Sequence, residues 1–256
     1  MAEIQFLHCI DNPDNIDVNK YNEFSIGINI DEVSDTNMLD GNWEKTIEGY
    51  KHKLAGFRNT ITVHGVGFDL NPGSPDKKVV ELTKFRYKQC VNIAKILDAS
   101  YVVFHSQINP WIRDKKVLEK KAARQVGFWQ EIAEDIGSHK LKALIENVYE
   151  DDYSDLLMLV EKINNPKVGV CFDTGHMLST SGQSMDEWVK NLKPFIEMIH
   201  LHWNDGSYDA HKAPNEEELK IFKQIYESNS LECFAALEYE IDDIETEIRR
   251  VRKYLD

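Results

Sequence analysis

Eight short apolar runs, each followed by a longer stretch of helical period, are the feature that most narrows what this 256-residue chain can fold into. The pattern predicts strands over Ile4 to Cys9, Phe24 to Ile30, Thr60 to His64, Tyr101 to His105, Lys142 to Glu146, Val168 to Phe172, Met198 to His202 and Phe234 to Glu238. Several are almost wholly apolar, as parallel strands covered on both faces should be. The helices between them carry recognisable punctuation. In Ser74-Pro75-Asp76, Ser suits the cap, Pro the first helical position and Asp the positive end. The helix that follows is expected to lay Leu82, Phe85, Cys90, Ile93, Ala94 and Leu97 on one wall. The next, Asp114 to Ile136, stops at Gly137, Asn165-Pro166 ends the one before the sixth strand, and Asp242 to Tyr254 closes the series.

A doubly wound open sheet would also alternate strand and helix, but it would be expected to carry a phosphate turn. No G-x-G-x-x-G follows the first strand, and no G-x-x-x-x-G-K-[ST] occurs anywhere. The hydrophobic content of 42% is enough for one large core at this length. The expected architecture is therefore α/β, a (β/α)8 TIM barrel forming a single domain over residues 1–256.

The charge balance excludes other classes. Thirty Lys plus Arg stand against 44 Asp plus Glu, a net charge of −14. That argues against nucleic acid as a partner, because binders of phosphate backbones need a basic footprint. Lys77, Lys78, Arg113, Lys115 and Lys116 follow loops of interest, so only folding decides whether a local basic patch is assembled. Cys9, Cys90, Cys171 and Cys233 are isolated and read as small buried hydrophobes. The first twenty residues lack a signal-peptide pattern, and no long apolar stretch would span a membrane, so a cytoplasmic location is the expectation.

Chemistry-bearing residues gather where the predicted strands end. The third, fourth and fifth strands finish in His64, His105 and Glu146. The sixth runs into Asp173 and then His176, the seventh ends in His202, and the eighth in Glu238. The loop after the seventh adds Asp205, then Asp209 and His211. Any one of these could be a structural hydrogen-bonding residue or a cap. Placed together in one barrel mouth they would be costly without a cation. Mixed imidazole and carboxylate donors suit zinc, manganese or iron better than magnesium or calcium. His200 competes with His202, and Glu240 with Glu238; His202 and Glu238 are the preferred ligands. His8, Phe68 and Trp111 sit where they could contact a substrate.

The segments VHGVGFDLNPGSPD, VVFHSQINP, ALIEN, VCFDTGH, IHLHWNDGSYDAH and LEYE resemble, in order and spacing, the xylose-isomerase-like TIM barrel superfamily. That superfamily holds sugar phosphate isomerases and epimerases and the abasic-site endonucleases. The resemblance implies a single metal on Glu146, Asp173, His202 and Glu238 in the first branch, with the two glutamates flanking the carbon that exchanges a proton. In the second branch it implies a three-zinc cluster whose added ligands are His64, His105, His176, Asp209 and His211. The G-x-G-x-[IV]-[DN] segment expected after the D-x-H loop is replaced by KAPNEEELK.

The expected activity is metal-assisted proton transfer by a sugar or sugar-phosphate isomerase or epimerase, with Glu146, Glu238 and His176 catalytic. The alternatives are a multinuclear zinc phosphoesterase and a metal-dependent sugar-binding protein without turnover. One to three divalent ions, zinc or manganese, would be bound, the partner would be a small sugar or sugar phosphate, and pairing into a homodimer is expected because barrels of this type often pair.

Overall fold

In the computed structural model, which describes residues 4–255, eight parallel strands close into a barrel. They are β1 (Phe6–Ile10), β2 (Gly27–Ile30), β3 (Ile61–His64), β4 (Tyr101–His105), β5 (Lys142–Glu146), β6 (Val168–Asp173), β7 (Ile196–Leu201) and β8 (Phe234–Leu237). Around them run α1 (Val18–Glu23), α2 (Thr36–Asp40), α3 (Trp43–Lys53), α4 (Lys77–Ile96), α5 (Lys115–Ile136), α6 (Ser154–Ile163), α7 (Thr174–Thr180), α8 (Met185–Leu192), α9 (Glu216–Ser228) and α10 (Ile244–Leu255). No helix among the described residues is long and apolar enough to cross a membrane. The four cysteines are free, and three of them are buried.

Alternation along the strands sorts side chains between barrel interior and helix layer. Leu7, Val103, Leu144, Cys171, Met198 and Ala236 form a small inner cluster, the floor of the barrel. Two residues further along each strand, pointing the same way, come Cys9, His105, Glu146, Asp173, His200 and Glu238. The switch from apolar to polar between these two layers turns a packed interior into a site. On the other parity, Phe104 meets Tyr87 of α4 with ring centroids 3.9 Å apart, and Phe172 meets Trp188 of α8 at 5.9 Å.

Some expectations need correction. Asp76, not Ser74, caps α4: its carboxylate accepts from Lys78 N at 2.8 Å, while the Ser74 hydroxyl accepts from Asp76 N. The α4 stripe is also misplaced, because Leu82 and Phe85 are 51% and 60% exposed; Thr83, Tyr87, Cys90, Val91, Ile93 and Ala94 face the barrel. β2 starts at Gly27 rather than Phe24, since Phe24 closes α1 and Ser25 takes a left-handed turn at φ 52. β1 begins two residues late, at Phe6, and runs on to Ile10; β7 ends at Leu201 and β8 at Leu237, so His202 and Glu238 lie one residue past their strands. α5 stops at Gly137 as expected, and Asp114, expected as its first residue, is instead its N-cap.

Candidate metal centre

Glu146 and Asp173 end β5 and β6 and are fully buried. With His200 and Glu238 they place donor atoms within 4.8 Å of one another. His200 is the hub: its Nδ1 lies 2.7 Å from Glu146 Oε1, 2.9 Å from Glu238 Oε2 and 3.7 Å from Asp173 Oδ2. His202 points inward as well, one layer nearer the mouth, with Nε2 3.0 Å from Asp173 Oδ2 and 3.9 Å from Glu238 Oε2. Depth, not parity, therefore separates the two histidines. Glu240 is exposed on a cavity wall while Glu238 faces the centre.

Three further histidines share one arrangement. His64 has Nδ1 2.9 Å from the Gly65 carbonyl and Nε2 3.3 Å from Glu146 Oε2. His176 has Nδ1 2.9 Å from the Asn147 carbonyl and Nε2 3.1 Å from Asp209 Oδ2. His211 has Nδ1 3.0 Å from the Glu238 carbonyl and Nε2 2.9 Å from the same Asp209 oxygen. A carbonyl can only accept, so in each ring Nδ1–H donates outward and Nε2 is presented to a carboxylate in the mouth. That fixed tautomer is how proteins orient imidazole ligands.

Such Nε2–carboxylate pairs need a positive charge between them. Supplied with protons, they behave accordingly: burial disfavours the charged form of His64, but Glu146 outweighs it and lifts the group to about 9. Burial likewise opposes, and Asp173 and Asp209 overcome, a rise of His176 to about 11. The bond to Asp209 lifts His211 to about 9. Glu146 and Glu238 are held below the usual carboxylate range, since His200 beside them more than offsets their burial. A divalent cation would replace several of these protons at once.

His105 differs. Burial, only partly opposed by Glu146, pushes it down to about 4, leaving a neutral imidazole whose Nε2 is 3.5 Å from Glu146 Oε2. Its Nδ1 has no hydrogen-bond partner, nor do His202 Nδ1 and Asp209 Oδ1, which face each other at 3.6 Å. Orphaned buried donors and acceptors of this kind fit a cation site.

Two glycines make room for these rings. A Cβ on Gly67 would stand 2.3 Å from His105 Nδ1, and one on Gly175 would stand 1.9 Å from His202 Cε1. The glycines of the VHGVG and DTGH segments are thus part of the site. His211, held at φ 44, stacks on His202 with centroids 4.1 Å apart.

All nine expected ligands face one mouth. Asp205 does not join them; it accepts from Ser207 N at 3.1 Å within its own turn. Phe68 is 77% exposed with its ring edge toward His105, centroids 5.6 Å apart. His8 lines a cavity with Asp31, His211 and Glu238, its Nδ1 2.5 Å from the Tyr21 hydroxyl. Trp111 lies apart, in a different cavity. Sequence reasoning missed Asp31, which follows β2 and is raised to about 7 by burial, opposed by His64 and reinforced by Glu238. Its place directly after a strand was the available signal.

A barrel of this topology with imidazoles and carboxylates at its strand ends defines a class, and the chain belongs to the family described as xylose isomerase-like TIM barrel, which it matches over residues 26–255. Protein MJ1311 of Methanocaldococcus jannaschii is 31% identical over 161 residues, which are 59% of this chain and 54% of that one, so the chain spans about half the length of that relative. The TTHB071 protein from Thermus thermophilus, in crystals soaked with ZnCl2, is similar in structure at a TM-score of 0.75 and 19% identity, covering 99% of this chain and 98% of that one. A D-tagatose 3-epimerase-like protein is similar at a TM-score of 0.77 and 21% identity, covering 98% and 97%.

Proposed function

We propose that this chain is a divalent-metal-dependent sugar or sugar-phosphate isomerase or epimerase. The observation that carries the reading is the pairing of Glu146 and Glu238 on His200 Nδ1 at 2.7 and 2.9 Å, one buried and one half-buried carboxylate reaching one point from different strands. Glu146, Asp173, His202 and Glu238 would hold the principal cation, zinc or manganese by their mixed donor set. When bound there, it would polarise a substrate carbonyl and acidify the neighbouring C–H.

The protein's own part follows from position and charge. Both glutamates are held ionised, the form a general base requires. One, ionised, takes the carbon-bound proton, and the other, once it has taken up a proton from solvent, delivers that proton to the second face, while His176 holds a substrate hydroxyl. Burial of Glu146, Asp173, His200 and His202 keeps water away from the reacting carbon. The reading is supported by the D-tagatose 3-epimerase-like protein among the structural neighbours. Free cysteines fit a reducing, cytoplasmic setting. A homodimer is part of the proposal and is tested by sedimentation.

The test is solvent exchange. Metal-loaded protein in D2O is expected to place deuterium on the carbon beside the carbonyl of a ketose or its phosphate, and Glu238→Gln to slow this about 10²- to 10⁴-fold with metal retained. No deuterium incorporation with zinc or manganese would overturn the reading.

One observation favours a second reading, phosphoester hydrolysis. His64, His105, Asp209 and His211 add donors that single-metal proton transfer does not use. Release of phosphate from a sugar phosphate, or nicking of an abasic duplex, in the absence of exchange would establish it.

A further inference from the structure

The net charge of −14 is not spread evenly around the mouth. Beyond the ends of β4 and β5 lies a cavity of about 990 Å³ lined by Arg113, Lys120, Lys121 and Arg124, with Asp151 the one carboxylate among its described wall residues. Arg113 pairs with Asp151 at 2.6 Å, whereas Lys120, Lys121 and Arg124 form no ion pair among the described residues.

The wall is built rather than incidental. Lys121 is only 8% exposed, and its ammonium donates to the Gln107 carbonyl. Arg124 Nε donates to the Gly73 carbonyl at 2.9 Å, and the Gln107 amide donates to the Gly67 carbonyl at 2.6 Å. Gln107 is held at φ 55, a conformation a non-glycine residue adopts only when its surroundings enforce it. Gly67 is also the residue that seats His105, so cavity wall and metal centre share one hydrogen-bonded frame.

Trp111, 89% exposed, and Tyr149, 44% exposed, stand in the same wall. Open aromatic faces beside cations, three of them without an ion pair among the described residues, suit an extended sugar that carries a phosphate. Gln107 is two residues past His105, so their Cα atoms are at most roughly 7 Å apart and the cavity wall adjoins the metal centre along the chain. The acidic excess over the rest of the surface would repel a long polyanion beyond the cavity.

We infer that this cavity receives the phosphate end of a phosphorylated sugar whose carbonyl end reaches the metal centre. The inference deepens the isomerase reading by naming its substrate as a phosphate ester, and its test does not depend on turnover. The metal-loaded protein is titrated calorimetrically with D-ribulose 5-phosphate and with D-ribulose, as is the Lys120→Gln, Arg124→Gln double variant. Both substituted side chains are exposed, so the fold is retained. Wild type is expected to bind the phosphorylated sugar at least about tenfold more tightly, and the variant to lose that preference with metal content unchanged.

Equal affinities in wild type, no binding of the phosphate ester, or a preference that survives the double substitution would each overturn the inference. Tight binding of an abasic oligonucleotide through these residues, without preference for the small phosphate, would overturn it too. If the preference holds but no deuterium exchange occurs, the proton-transfer reading falls and the cavity assignment stands.

Discussion

A methyl group at Gly175 would stand 1.9 Å from His202 Cε1 and 2.2 Å from its Nδ1, so the ring cannot stay in place beside an alanine. Gly175→Ala is expected to weaken zinc or manganese binding about 10- to 100-fold, the usual cost of disturbing a residue that orients a ligand, as read by competition with a chelator. Unchanged affinity would place His202 outside the ligand set. His8 supplies a pH test at the same scale. Burial, opposed by Asp11, lowers it to about 4 from 6.5. A histidine depressed in the folded state favours folding above its unfolded value and withdraws that support as pH falls from 6.5 through 4. His8→Gln should therefore flatten the fall in unfolding free energy, read by urea denaturation, over that window by roughly 3 kcal/mol, and a parallel fall in both proteins would contradict it. Six of the expected ligands, His64, His105, Glu146, Asp173, His202 and Glu238, could be picked out of the sequence because each stands at or just after a strand end, whereas His176 lies in α7 and Asp209 and His211 lie well into the loop after β7. The rank of His200 was not, since His200 and His202 share a parity and only the closed barrel assigns their depth. Asp31 was missed even though the expected second strand ends at Ile30, the residue just before it, as β2 does.

At the scale of elements, α4 is anchored by Tyr87, which is fully buried and lies 12° from parallel with the Phe104 ring. Tyr87→Ala should cost about 3 to 5 kcal/mol in equilibrium denaturation, while Phe85→Ala should stay within roughly 0.5 kcal/mol. Equal losses would restore the stripe read from sequence. That stripe failed because Leu82 and Phe85 are apolar yet lie on the solvent side, and hydrophobicity alone does not say which side of a helix meets the barrel. β4 and β5, which are mostly apolar and end in an expected ligand, have the expected bounds. Strands flanked by left-handed turns, such as β2 after Ser25, were harder to delimit, because a single φ near 52 stops pairing without a glycine to announce it.

Over the whole molecule, a chain of net charge −14 gathers carboxylates and imidazoles in its mouth and cations in the adjoining cavity. The cavity could not be counted from sequence, because Arg113 comes from a loop while Lys120, Lys121 and Arg124 come together only on one face of α5. The mouth could be, because barrel strands deliver their ends to one rim. Removing the cations should leave buried carboxylates and imidazoles to compensate one another through protons alone. Chelator treatment is therefore expected to lower the thermal midpoint by several degrees, and an unchanged midpoint would mean that the folded state gains nothing from metal. The most direct measurement is elemental mass spectrometry of the purified protein beside Glu146→Gln, Glu238→Gln and His64→Ala, His105→Ala double variants. The account predicts at least one zinc or manganese ion per chain, loss of the principal ion in the first variant, and its retention in the second. No bound metal in wild type, or the same content in all three proteins, would contradict it.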